Sequence, residues 1–286
     1  VSLPASLPAS VCRLRKAEIR DSQSKIQNLD SIPYLSIPAF QEMRFVTSAI
    51  STRIGGISQY PYRTLNLAYH VGDVHEAVAE NRRRFCDIVG VDVNSLVLAQ
   101  QTHGDRVAVI DESQAGCGAH RHEDAIPDSD AMITRSQPVA LAVLTADCVP
   151  MLVVDPVRRA IGVAHVGWRG ALRMIAAKAV LKMRDTFGSV QSDCLVFLGP
   201  SIGPCCYEVR ANVASQFQHK FGPGTCILEN RLDLRRAVEM QLIDIGLEEG
   251  NISSEKLCTA CNPGLFYSYR AEGDRTGRMM SVIKLA

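Results

Sequence analysis

Three apolar runs follow one another closely between residues 139 and 165: 139–145 (VALAVLT), 149–154 (VPMLVV) and 160–165 (AIGVAH). Each has the length of a strand and lacks the polar alternation of a sheet with one wet face. They are expected as strands covered on both sides. Further strand signals lie at 45–51, 96–100, 106–110, 194–198, 265–269 and 279–284. Helical periodicity is clearest at about 74–89, 168–187, 208–220 and 231–246. In the second of these, Leu172, Ile175, Ala176, Ala179 and Met183 recur at three- and four-residue spacing. Strands outnumber helices and the two interleave, which predicts an α+β (mixed α/β) chain built as a layered sandwich of sheets flanked by helices. Segment 112–129 has no period and is expected as a surface loop. The 286 residues, 47% of them hydrophobic, suffice for one large core. Residues 36–286 are expected as a single catalytic domain, preceded by a poorly ordered arm over 1–35.

Charge narrows the function. The 31 basic and 30 acidic residues leave a formal charge of +1, without the basic excess of a nucleic-acid surface. With a single Trp, a base-stacking platform is not expected either. No apolar run reaches the ~18 residues of a membrane span. In the first residues the basic group Arg13-Leu14-Arg15-Lys16 follows the apolar stretch, the reverse of a secretory signal. A cytoplasmic enzyme acting on a small molecule, monomeric or homodimeric, is the expectation. The ten cysteines are scattered over a long chain, unlike a disulfide scaffold. Cys86, Cys194 and Cys226 are expected as buried thiols. Cys258-x-x-Cys261 looks like half a zinc ribbon, but no second Cys-x-x-Cys exists and the other near pair is Cys205-Cys206, so a second metal is not expected.

Polar residues stand where core strands end, in Gln101-Thr102-His103-Gly104, Thr145-Ala146-Asp147-Cys148 and His165-Val166-Gly167-Trp168-Arg169-Gly170. His103, Cys148 and His165 together would offer two imidazoles and a thiolate, a three-ligand set that leaves a fourth tetrahedral position open, as in catalytic zinc sites. The spacing is dispersed, so hydrogen-bonded core histidines and a buried thiol remain the alternative. A helix starting at residue 168 would aim its N-terminal N–H groups at the site, and Arg169, with Arg53, would build an anion pocket. Asp147 is a candidate proton carrier or partner of the ligands. Asn66, His70 and Arg270 complete the candidate substrate- and anion-binding residues; His70 lies in a polar turn, either facing the site or only closing the turn.

The chain resembles the YfiH-type laccase-domain family, also described as purine nucleoside phosphorylases and peptidoglycan editing factors. The matching motifs run in order from Ser51-Thr52-Arg53-Ile54-Gly55-Gly56, Leu65-Asn66-Leu67, His70-Val71-Gly72-Asp73 and Asn81-Arg82 to the three strand-end motifs, with Asp130-Ala131 between. Leu198-Gly199-Pro200-Ser201-Ile202-Gly203-Pro204, Cys258-Thr259, Phe266-Tyr267-Ser268-Tyr269-Arg270 and Thr276-Gly277-Arg278 complete the series. The resemblance implies a fold shared with a bacterial deamidase toxin, and one zinc ion on His103, Cys148 and His165. It further implies phosphorolysis of adenosine, inosine and methylthioadenosine, and deamination of adenosine. Ala68 departs from a common Gly and Ala271 from a frequent second Arg. Rival readings are editing of a cell-wall precursor that carries the wrong amino acid, a metal-free hydrolase with Cys148 as nucleophile and His165 as base, and a metal-stabilised binding module. A copper oxidase fits least well, because seven histidines are few for a multicopper centre.

Overall fold

The computed structural model describes residues 25–28 and 32–286. Two six-stranded sheets lie face to face. The first runs in the order β1 (Lys25–Gln27), β2 (Tyr34–Ser36), β3 (Val46–Ser51), β14 (Met279–Leu285), β7 (Ala140–Thr145) and β4 (Leu96–Val97). The second runs β13 (Ile252–Ser254), β10 (Leu195–Leu198), β8 (Val149–Asp155), β9 (Ala160–Val166), β6 (Ala131–Thr134) and β5 (Val107–Ile110). Pairing is antiparallel except for β4 with β7, β5 with β6 and β10 with β13, so both sheets are mixed as expected. A short hairpin, β11 (Ile227–Leu228) with β12 (Arg231–Leu232), stands apart.

The period of two in a strand explains why the central runs are apolar throughout. On β8, Leu152 and Val154 point into the core between the sheets, while Val149, Met151 and Val153 point the other way, against helices α3 (Trp168–Leu172), α4 (Ile175–Phe187), α5 (Ala211–Phe221) and α6 (Leu234–Asp244). On β7, Leu141 and Val143 face the intersheet core, and Ala140, Ala142 and Leu144 face the cluster that holds Phe85 of α2 (His75–Val89). The layers are therefore helix, sheet, sheet and helices. Each fully buried Leu or Val contributes roughly 1.5–3 kcal/mol of transfer free energy.

Several expectations needed correction. The arm expected over 1–35 lies mostly outside the described residues, yet β1 and the start of β2 fall within it and pair at the sheet edge; Leu35 and Ile37, both buried, tie that edge to the core. The expected strand at 265–269 is instead a turn leading into a short helix, α7 (Tyr269–Glu272). Phe266 and Tyr267 bury their rings in the intersheet core from that turn, which accounts for the misleading apolar run. The helix expected over 168–187 breaks at Met174, which takes a left-handed φ of 64°, and Gln241 of α6 donates to the Ala171 carbonyl beside the break. Residues 208–210 precede α5, and residues 231–232 belong to β12. A four-residue helix, α1 (Pro38–Gln41), leads into β3. Cys86, Cys194 and Cys226 are buried free thiols, as expected.

The loop at 112–129 is pinned down from below. Arg82, on the buried face of α2, donates through Nε to the Leu67 carbonyl at 2.8 Å and through Nη1 to Gly118 and Ala119 at 2.6 and 2.8 Å. Its guanidinium also lies over the Tyr69 ring. A buried cation held by carbonyls leaves those acceptors unpaired when it is removed, at about 1–3 kcal/mol each. Arg82→Ala is expected to destabilise the fold by roughly 3 kcal/mol or more. Urea unfolding followed by circular dichroism measures the shift in midpoint, and an unchanged midpoint contradicts the reading.

Candidate metal centre

Three chain segments bring the ligand set together at one end of the sandwich. β8 and β9 are antiparallel neighbours, with Val149 opposite Val166 and Pro150 opposite His165. Cys148, one residue before β8, therefore comes close to Gly167, one residue beyond β9. His103 reaches them from the turn after β4, held in a left-handed φ of 59°. Its Nε2 is 3.8 Å from Cys148 Sγ. The His103 and His165 rings meet edge to face at 4.7 Å. The donor atoms of all three side chains lie within 4.8 Å of one another, a group able to hold a metal ion. Gly167 keeps this space open, since a Cβ there would sit 2.8 Å from His103 Cδ2 and 3.2 Å from Cys148 Sγ.

Asp130, just before β6, organises the set. One carboxylate accepts the backbone N–H groups of Thr102, His103 and Gly104 at 3.1, 3.0 and 2.7 Å, and it meets His165 Nδ1 at 2.7 Å. The His103 turn and the His165 ring are thus fixed by one anion. With Nδ1 engaged, His165 keeps Nε2 for the ligand position. Burial pushes the Asp130 carboxyl up, but hydrogen bonds from His165 and the backbone outweigh it and hold the group at about 2. Burial would also raise the Cys148 thiol; the facing His165 charge, and then a hydrogen bond to His103, bring it down to about 6. The reciprocal effect lifts His165 to about 9: burial opposes its charge, and Cys148 and Asp130 overcome that. Without an ion the two shifts favour a thiolate beside a protonated ring; an ion bound at Nε2 would take the place of that proton.

A cavity of about 590 Å³ opens above these ligands, within the range of small-molecule sites. Arg169, Arg270 and Arg278 line it, together with Trp168, Tyr207 and Tyr269. None of the three arginines has a carboxylate partner among the described residues. Residues 47–286 match the family model described as "Multi-copper polyphenol oxidoreductase laccase". The chain belongs to this YfiH-type laccase-domain family. It is 36% identical over 249 residues to the Bacillus subtilis protein named purine nucleoside phosphorylase YlmD, covering 85% of this chain and 90% of that one. It is 34% identical to a protein of an unknown prokaryotic organism named adenosine deaminase RL5, covering 82% and 92%. The crystal structure of the Bacillus licheniformis protein YfiH superposes with a TM-score of 0.85 at 34% identity, over 91% of this chain and 98% of that one.

The other candidate residues divide. His70 lines the cavity, which decides between its two expected placements. It opens to solvent, yet the surrounding protein and then the neighbouring His122 lower its pKa to about 4, so the ring is neutral. Arg169 and Arg270 also line the cavity. Arg53 does not: its guanidinium donates to the carbonyls of Arg63 and Pro263, pairs with Glu272 and stacks on Tyr267. Asn66 acts from behind the cavity wall, donating to Ala68 and Asp73 and accepting the N–H of Arg278. Asp147 lines the cavity in a left-handed φ of 88°, but one carboxylate oxygen accepts from Thr259 Oγ1 and the other from the Arg270 N–H, each at 2.6 Å. The helix-dipole contribution expected at residue 168 lapses, because α3 has only five residues before the break. Of the two departures from the family pattern, Ala68 is harmless: its φ of −110° needs no glycine.

Sequence reasoning gave no role to Asp130, Arg278 or Tyr207. Asp130 was visible only within the matching motif Asp130-Ala131, with no role attached, and its partners are mostly backbone groups that no side-chain pattern announces. Asp130→Asn keeps the shape but removes the charge and one acceptor oxygen. A divalent ion is expected to bind roughly 10–100-fold more weakly in this variant. Competition with a chromogenic chelator measures the change, and wild-type affinity in the variant contradicts the role.

Proposed function

We propose that the chain is a zinc-dependent enzyme of purine nucleosides that performs phosphorolysis and adenosine deamination at this centre. The observation that carries the reading is the three-ligand set beneath a cavity with three aromatic rings and three guanidiniums that have no carboxylate partner among the described residues. For a tetrahedral ion with bonds near 2.1 Å to nitrogen and 2.3 Å to sulfur, ligand atoms stand roughly 3.6 Å apart. The His103–Cys148 separation of 3.8 Å fits that spacing. A divalent charge beside the Cys148 thiolate and the Asp130 carboxylate brings the site to neutrality. Two imidazoles and a thiolate leave one coordination face free, where zinc supplies Lewis acidity toward water or substrate.

The remaining chemistry belongs to the side chains. Phosphorolysis needs phosphate held in line with the sugar carbon whose bond to the base breaks; Arg169, Arg270 and Arg278 are the donors placed for that anion. Arg270 is oriented by its Nη1 bonds to the Cys206 and Glu208 carbonyls, and Arg278 by its bonds to Thr276 and Gly277. Trp168, Tyr207 and Tyr269 offer rings to a purine base. Asp147 acts by holding Thr259 and the Arg270 backbone, and bonds none of the three proposed ligands. The related proteins named purine nucleoside phosphorylase and adenosine deaminase support both reactions.

A second reading has one observation in its favour: Asp130, His165 and Cys148 also form the series of a carboxylate-oriented base and a thiol nucleophile. The copper oxidase suggested by the family model's description is weakened, because the histidine-bearing group among the described residues holds only two imidazoles. Adenosine with phosphate is expected to yield adenine and ribose 1-phosphate, and adenosine with water inosine and ammonia. His103→Ala should abolish both while removing the ion from this centre. Chromatographic product analysis on fresh and chelated enzyme tests this. Full turnover by folded, metal-free protein would favour the thiol mechanism and reject the zinc one.

A further inference from the structure

A second group of sulfurs lies behind the cavity wall. Cys258-x-x-Cys261 has half the ligand pattern of a zinc ribbon, and the fold supplies the other half from the adjacent pair Cys205-Cys206. The four Sγ atoms lie within 4.8 Å of one another. Cys261 Sγ is 3.5 Å from that of Cys205 and 3.3 Å from that of Cys206. All four are free thiols. In a tetrahedral tetrathiolate zinc site with bonds near 2.3 Å, sulfurs stand roughly 3.8 Å apart, so the two short separations need only open slightly around an ion, and the others already lie within 4.8 Å. We propose that Cys205, Cys206, Cys258 and Cys261 bind a second, structural zinc ion, separate from the His103–Cys148–His165 centre.

Three features beyond the sulfur spacing support the site. First, the two turns are already joined. Ser201 bridges to Cys258, and the Thr259 N–H donates to the Ser201 carbonyl at 3.1 Å. The turn after Cys258 closes on itself, with Asn262 donating to the Cys258 carbonyl. The ligands are therefore set by backbone pairing and not by mobile side chains. Second, the Gly203 N–H points at Cys258 Sγ, 3.2 Å away. An N–H directed at sulfur favours the thiolate over the thiol. A Cβ on Gly203 would stand 3.3 Å from Cys205 Sγ and 3.3 Å from Cys258 Cβ, so glycine keeps both turns close.

Third, the surroundings are cationic. Binding Zn²⁺ takes the four thiols as thiolates, releases their protons to solvent and leaves the site with a net charge of −2. Arg231 donates to the Cys205 carbonyl, Arg270 to that of Cys206, and Arg235 Nη2 approaches Gly203. Their positive charge has the sign that stabilises a dianionic centre. Cys258 is buried, and the other three are half-buried. All coordination positions are filled by protein, the mark of a structural zinc.

The site would brace the catalytic cavity from outside. Tyr207 follows Cys206 directly, Arg270 is oriented by the Cys206 carbonyl, and Thr259 bonds Asp147 next to Cys148. One ion would lock the turns that carry all three contacts.

Zinc analysis by mass spectrometry on freshly purified full chain tests the proposal. The wild type is expected to hold two zinc ions, Cys261→Ser one, His103→Ala one, and the double variant none. Where Cys261→Ser fails to fold, alkylation of native wild type with iodoacetamide gives the answer by itself. With zinc present, Cys205, Cys206, Cys258 and Cys261 should resist modification and become reactive only after chelation. Cobalt substitution of His103→Ala adds a spectroscopic readout, since a thiolate-rich tetrahedral site gives intense charge-transfer and visible bands. One zinc per wild-type chain that disappears with His103→Ala, iron at the second site, or equal alkylation of the four thiols with and without zinc would each overturn it.

Discussion

The carboxylate of Asp130 is the contact on which the candidate centre depends. It takes three consecutive backbone N–H groups from the turn that carries His103 and one ring nitrogen from His165. The turn that bears His103 and the ring of His165 are thereby oriented by one group. The left-handed backbone at His103 carries an intrinsic cost of about 1–2 kcal/mol, which hydrogen bonds to a buried anion more than offset. The position of Asp130 comes in turn from sheet pairing. β6 and β9 align Ala131 with Ala164, and the His165 N–H donates to the Asp130 carbonyl at 2.7 Å. The same ladder that builds the second sheet delivers the anion to the imidazole.

The sandwich makes such a site affordable. Strands buried on both faces form a rigid block whose ends are the only places where loops can gather polar groups. At one end, segments from both sheets meet: the His103 turn continues from β4 of the first, while Cys148 precedes β8 and His165 lies near the end of β9 in the second. Gln101 ties the His103 turn to β7 of the first sheet by exchanging both hydrogen bonds of its side-chain amide with the Leu144 backbone, at 2.7 and 2.8 Å. Guanidiniums without carboxylate partners among the described residues then give the cavity its sign, and that sign suits an anionic co-substrate.

The centre of the sheet core was legible because the runs that form β7, β8 and β9 are apolar almost throughout, and the ligand candidates because His103, Cys148 and His165 stand at or near strand ends. What could not be read was of three kinds. The break at Met174 is accompanied by Gln241 reaching across from another helix to the Ala171 carbonyl, a tertiary contact that the repeat of Ile175, Ala176 and Ala179 does not reveal. Phe266 and Tyr267 mimic a strand because burial, whichever conformation achieves it, selects the same side chains. Arg53 looked like an anion binder, yet in the fold its charge is spent on carbonyls and Glu272. Cys205-Cys206 and Cys258-x-x-Cys261 illustrate the same limit: neither spacing alone is a metal motif, and only the fold joins them. Charge and donor type are readable from a residue; its partner is not.

Anomalous X-ray diffraction across the zinc absorption edge, on crystals of zinc-loaded protein, tests the centre most directly. The account predicts an anomalous peak roughly 2.0–2.1 Å from one nitrogen each of His103 and His165 and ~2.3 Å from Cys148 Sγ, with Asp130 still bonded to His165 Nδ1. Loaded crystals with no peak among these three side chains, or with His165 turned away from Asp130, would contradict it.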